Sequence, residues 1–145
     1  MTEVLYTAEA HVTGARADGH GRTSDGALEV DLRLPTEMGG EGGGTNPEQL
    51  FAVGFAACFE GALGVVAARQ KAEAGDVQID SKVSLITTEE RGYGIAAELH
   101  VVLPSVADAL AVELVRAAHE VCPYSNATRG NVEVTLTANG APVEA

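Results

Sequence analysis

Cys58 and Cys122 are the only two thiols in this 145-residue chain, and a thiolate is the side chain best suited to nucleophilic and redox chemistry. They stand 64 residues apart, which excludes a local Cys-x-x-Cys redox or zinc motif. Cys58 lies within Gly54-Phe55-Ala56-Ala57-Cys58-Phe59-Glu60-Gly61-Ala62. On a helix its neighbours three and four positions away are Phe55, Gly54, Gly61 and Ala62, an apolar and sterically open setting. Such a setting raises a thiol pKa, so a reactive Cys58 needs a positive partner from elsewhere in the chain. Cys122 precedes Pro123. If Pro123 opens a short helical turn, Cys122 takes its N-cap, where free backbone N–H groups favour negative charge. The commoner fate of either cysteine is that of a small packing residue. His11, His20, His100 and His119 are dispersed without the spacing of a metal site. Spacing alone permits a dithiol pair and decides nothing further.

The elements that must position these residues are legible in outline. Tyr6–Val12 reads as a strand, followed by a loop rich in Gly, Asp and His over residues 14–21. Ser24-Asp25-Gly26 predicts a hairpin turn, because Asp-Gly readily takes positive φ. Ala27–Leu34 alternates Leu28, Val30, Leu32 and Leu34 against Glu29, Asp31 and Arg33, the pattern of a half-buried strand. The run Gly39-Gly40-Glu41-Gly42-Gly43-Gly44 would in isolation be a linker. Here it leads into a helix start, with Asn46 as cap, Pro47 at the first position and Glu48 complementing the dipole. The helix is expected to run to about Ala74, ended by Gly75, with Leu50–Ala68 buried on most sides. Strands over Val77–Thr88 and Ile95–Leu103 follow. A second helix is expected from a Ser105 cap, with Asp108 three residues on, through Val121. A last strand spans Asn131–Ala138. The order β-β-β-α-β-β-α-β predicts an α+β fold, a sheet packed on a long central helix, in a single domain over 1–145.

Composition narrows the function. Nine basic against 21 acidic residues give a formal charge of −12. No basic stripe is visible, which argues against a nucleic-acid partner, and the acidic surface should be repelled by anionic leaflets. The start, Met1-Thr2-Glu3-Val4-Leu5-Tyr6, lacks the basic and apolar regions of a signal peptide, and no apolar run is expected to reach bilayer-spanning length. A cytoplasmic location is therefore expected. In that reducing compartment two cysteines are free, metal-bound or redox-active rather than statically bridged.

Longer stretches carry a resemblance. Gly44-Thr45-Asn46-Pro47-Glu48-Gln49-Leu50-Phe51, Ala56-Ala57-Cys58-Phe59 and Cys122-Pro123-Tyr124-Ser125-Asn126-Ala127-Thr128-Arg129-Gly130-Asn131 resemble the organic hydroperoxide resistance (Ohr) proteins of the OsmC-like superfamily. So do Tyr6-Thr7-Ala8, Gly14-Ala15-Arg16 and Asp25-Gly26, although Ala15 stands where a glycine is expected before Arg16. The likeness runs through nearly the whole chain in order.

The resemblance implies an OsmC-like fold with an antiparallel sheet and a long central helix, assembled as an intertwined homodimer with sites at the interface. It implies that Cys58 is the peroxidatic cysteine and Cys122 the resolving one. Arg16 becomes the catalytic arginine and Glu48 the glutamate that holds it. By their own signals Arg16 is a solvated loop charge and Glu48 a helix-start acid. The implied activity is reduction of alkyl and fatty-acid hydroperoxides through a Cys58 sulfenic acid and a Cys58–Cys122 disulfide. An external dithiol, expected to be the lipoyl group of a lipoylated protein, reopens that bond, with no metal and no bound cofactor. Two other readings stay open: an OsmC-type peroxidase of broader peroxide preference, and a non-catalytic dimer holding apolar ligands in a groove.

Overall fold

The computed structural model describes residues 2–144. Clustering of the backbone separates two compact units, Met1–Leu50 and Phe51–Ala145. The first holds an antiparallel three-stranded sheet of β1 (Ala10–Thr13), β2 (Asp18–Thr23) and β3 (Glu29–Arg33). β2 occupies part of the expected Gly/Asp/His loop. It carries Gly19 and Gly21 as its buried positions, so its inner face presents no apolar side chain for a pattern to register. β1 begins later than expected, and Tyr6 stays largely exposed. The β2–β3 turn is the expected one. Gly26 takes φ 73°, and the Asp25 carboxylate accepts from the Ala27 N–H at 2.9 Å and the Thr23 hydroxyl at 2.7 Å.

The glycine run is a packed loop rather than a linker. A short 3-10 helix, Thr36–Met38, precedes it, and the N–H groups of Gly40 and Gly42 donate back to Pro35 and Leu34 carbonyls. A Cβ on Gly40 would lie 2.1 Å from the Leu34 oxygen, so only glycine permits this return. The Thr45 N–H then donates to Asp31 O at 2.8 Å, and the Arg33 N–H donates to Thr45 O at 3.0 Å. These bonds fix the entry to α1 (Pro47–Arg69). Asn46 is its cap as expected, its Oδ1 accepting from the Gln49 N–H at 2.9 Å.

The second unit contains the rest of α1, the sheet β4 (Gln78–Thr88), β5 (Gly92–Val102), β6 (Glu133–Ala138) and β7 (Ala141–Val143), and the helices α2 (Asp108–Val121) and α3 (Pro123–Thr128). β4 and β5 form an eleven-residue antiparallel hairpin in register from Gln78↔Val102 to Thr88↔Gly92. The sheet is antiparallel except between β5 and β6. Those two run parallel because α2 and α3 lie between them in sequence and supply the crossover that parallel neighbours require. Phe55, Phe59, Leu63 and Val66 of α1 join Leu99 and Val101 of β5, Leu136 of β6, and Leu114, Val115 and Ala118 of α2 in one apolar cluster. Each fully buried phenylalanine there contributes about 1.5–3 kcal/mol over its exposed state.

The α1 end and the α2 start depart from expectation, whereas α2 ends at Val121 as expected. α1 stops at Arg69, five residues short of Ala74. Lys71 takes φ 56°; its N–H donates to Ala68 O and that of Ala72 to Ala67 O, the paired bonds that close a helix when a residue turns left-handed. α2 begins with Asp108 at its first position and Ala107, not Ser105, as N-cap. The Asn139 side chain, from the β6–β7 turn, accepts from the Leu103 N–H at 2.7 Å and donates to Leu103 O and Asp108 Oδ1.

α1 also corrects the expectation that no apolar run reaches bilayer-spanning length: it is long and apolar enough by composition. One face packs into the core, while Val53, Ala57, Gly61, Gly64 and Ala68, successive at helical spacing, stay exposed. Burial on most sides is thus not achieved within this chain.

Candidate functional site

Arg16 stands in the turn between β1 and β2, behind Gly14 at φ 75° and Ala15 at φ 56°. The turn closes backbone on backbone: a Cβ at Gly14 would meet Asp18 O at 2.2 Å, and one at Gly19 would meet Ala15 O at 2.0 Å. The glycine expected at position 15 has its reason here, and Ala15 holds the left-handed conformation at a cost of about 1 kcal/mol. From this turn Arg16 reaches Glu48 on the first turn of α1. Its Nη2 donates to Glu48 Oε1 at 3.0 Å and its Nη1 to Oε2 at 3.3 Å. The fork is two-pronged, and the glutamate side chain is only 17% exposed, so the pair fixes orientation as well as charge.

Cys58 lies ten residues beyond Glu48 on α1. It is half-buried, Cys122 is fully buried, and both are reduced. The Cys58 thiol bonds to the Cys122 sulfur, and the backbone N–H of Tyr124 donates to the Cys58 sulfur. Burial pushes the Cys58 thiol up, the Tyr124 N–H pulls it down, and the neighbouring Cys122 pushes it up again. Cys122 is indeed the N-cap of α3, with Pro123 following, but its side chain makes no cap bond. The first available N–H beyond it, that of Tyr124, serves Cys58 instead.

The Tyr124 ring forms the outer wall. Its centroid lies 5.7 Å from that of Phe51 and 5.9 Å from that of Phe55, which themselves meet edge to face at 5.8 Å. The structure thus brings together Arg16 with Glu48 inside the first unit, and Cys58 with Cys122 inside the second. Phe51 and the Tyr124 N–H belong to the second constellation and were not anticipated. The aromatic stripe was available as Phe51, Phe55 and Cys58 at helical spacing, whereas nothing in a sequence announces a backbone donor.

The histidines have other occupations. His20 bridges Asp31 at 3.0 Å and Glu29 at 2.8 Å, and those bonds raise its pKa. His100 bonds Thr137 at 2.9 Å and Glu98 at 3.0 Å. His119 is buried, and desolvation together with nearby Arg129 pushes its pKa down. Among the described residues no cluster of His, Cys, Asp or Glu is arranged to hold a metal ion.

Known proteins resemble the chain across this whole arrangement. The family model described as OsmC-like protein matches residues 40–137. An organic hydroperoxide resistance protein of Xanthomonas axonopodis pv. citri is 54% identical over 93% of this chain and 95% of its own length. Organic hydroperoxide resistance protein OhrB of Bacillus subtilis is 48% identical over 91% of this chain and 96% of its own length. The crystal structure of that OhrB aligns with a TM-score of 0.83, covering 92% of this chain and 98% of the other. An organic hydroperoxide resistance protein OsmC from Legionella pneumophila aligns with a TM-score of 0.88 at 52% identity, over 92% and 97% of the two chains. With a family model over residues 40–137, and a fold and sequence likeness that run along nearly its full length, the chain belongs to the organic hydroperoxide resistance proteins of the OsmC-like family.

Proposed function

We propose that this protein confers resistance to organic hydroperoxides as a thiol-dependent peroxidase, its two compact units acting as one domain. The observation that carries the reading is the proximity of the free Cys58 and Cys122 thiols, two residues remote in sequence and meeting in apolar surroundings. The Cys58 thiolate attacks the outer peroxide oxygen; the O–O bond breaks, and the departing alkoxide takes a proton and leaves as alcohol. Cys58 is now a sulfenic acid. The Cys122 sulfur displaces its hydroxyl, which leaves as water with the proton of Cys122, and the disulfide closes. An external dithiol, a lipoyl group in this reading, reopens it by exchange and is itself oxidised.

Arg16, oriented by Glu48, supplies the positive charge that a buried thiol lacks. It favours the thiolate and the developing alkoxide. The walls of Phe51, Phe55 and Tyr124 favour alkyl and fatty-acid hydroperoxides over hydrogen peroxide. The exposed apolar stripe of α1 supports a homodimer, in which that stripe is covered by a second copy. In this reading the reaction asks for no metal or bound cofactor and runs in a reducing cytoplasm.

The test is treatment of the reduced protein with one equivalent of cumene hydroperoxide, followed by mass analysis. A Cys58–Cys122 disulfide and alcohol release are expected in the native protein, and neither in Cys58→Ser. Full peroxide consumption by Cys58→Ser would refute the mechanism, and equal or faster turnover of hydrogen peroxide would refute the preference.

A further inference from the structure

Gly54 is one turn before Cys58 on α1, and its missing side chain is where Tyr124 lies. A Cβ built there would stand 3.2 Å from the Tyr124 hydroxyl oxygen, 3.4 Å from ring carbon Cε2 and 3.6 Å from Cζ. The ring cannot shift along the helix in either direction, because Phe51 flanks it at 5.7 Å and the fully buried Phe55 at 5.9 Å. It can yield only outward, toward the solvent that already reaches Tyr124. The same residue's backbone N–H donates to the Cys58 sulfur. Tyr124 therefore touches α1 twice, by its ring over Gly54 and by its N–H on the next turn.

We propose that Gly54 is a positioning residue for the thiol: the space it leaves seats the Tyr124 ring, and the seated ring holds the Tyr124 N–H on the Cys58 sulfur. Helix stability gives no reason for glycine here, since glycine in a helix interior is less favourable than alanine. The inference rests on the proposed role of Cys58 as nucleophile, yet it can be tested without turnover.

The experiment compares the native protein, Gly54→Ala, Tyr124→Phe and Gly54→Ala/Tyr124→Phe. One readout is the pH profile of Cys58 alkylation by iodoacetamide, located by mass. The other is kcat and KM for cumene hydroperoxide, with a denaturation midpoint for each variant. Gly54→Ala is expected to move the alkylation profile to higher pH and to lower kcat/KM about tenfold, the scale of one lost hydrogen bond to a charged group. Its midpoint should be no lower than native. The double variant removes the tightest contact and should recover most of both losses.

A native alkylation profile in Gly54→Ala would overturn the proposal. So would a loss that Tyr124→Phe leaves in place, or a lowered midpoint that it does not restore. If the native protein consumed no hydroperoxide, the peroxidase reading would fail, while the alkylation profile would still decide the role of Gly54.

Discussion

At the scale of single residues, Cys58 is subject to opposed influences. Burial and Cys122 hold the proton on, and the Tyr124 N–H draws it off. For a thiol raised in this way, the rate of nucleophilic attack climbs with pH as the thiolate fills. Arg16, the activating charge of the proposed mechanism, sets where that rise falls. Arg16→Ala is expected to shift the ascending limb of kcat/KM to higher pH and to cut activity at pH 7 by tenfold or more, on the order of one pKa unit. Stopped-flow turnover across pH 6–10 measures it, with circular dichroism confirming the fold. An unmoved limb would show that Arg16 does not act on the thiol. Glu48 belongs to the same test, because its carboxylate holds the guanidinium by both oxygens.

Among the elements, most of the fold could be read from the sequence, and what escaped shares a physical cause. The α1 start was legible because Asn46, Pro47 and Glu48 each state a local preference. Its end was not, because Lys71 takes the left-handed turn that glycine usually marks. β2 was missed because glycines fill its inner face. β7 is three residues long and contains Pro142. The α2 start differs because the Ser105 signal goes unused: Ala107 is the N-cap without a side-chain cap bond, and the Asp108 carboxylate accepts from Asn139, 31 residues further on, instead. Cys58, Cys122, Arg16 and Glu48 are singled out as site residues only through family likeness, since by local signal each cysteine is a packing residue. Lys71 offers a direct check on this account. Lys71→Gly should stabilise the protein by about 0.5–1 kcal/mol by removing the left-handed penalty. Urea denaturation at fixed pH measures it, and an unchanged or lower midpoint would contradict the assigned cause.

For the molecule as a whole, a net charge of −12 keeps copies apart at long range, while α1 invites them together at short range. The stripe Val53, Ala57, Gly61, Gly64 and Ala68 carries no charge, and a Cβ on either glycine would meet nothing within 4 Å. Small residues at such spacing let a second helix approach closely. A homodimer of about 30 kDa is expected by light scattering, twice the 14.9 kDa chain. Gly61→Arg should leave a helical monomer, and a dimer unaffected by it would move the interface elsewhere. Because the exposed stripe and Cys58 share one helix, a lost partner would unsettle the very segment that carries this thiol. Under the proposed peroxidase reading, hydroperoxide consumption per chain should then decline on dilution and return on concentration, so that abundance itself sets potency.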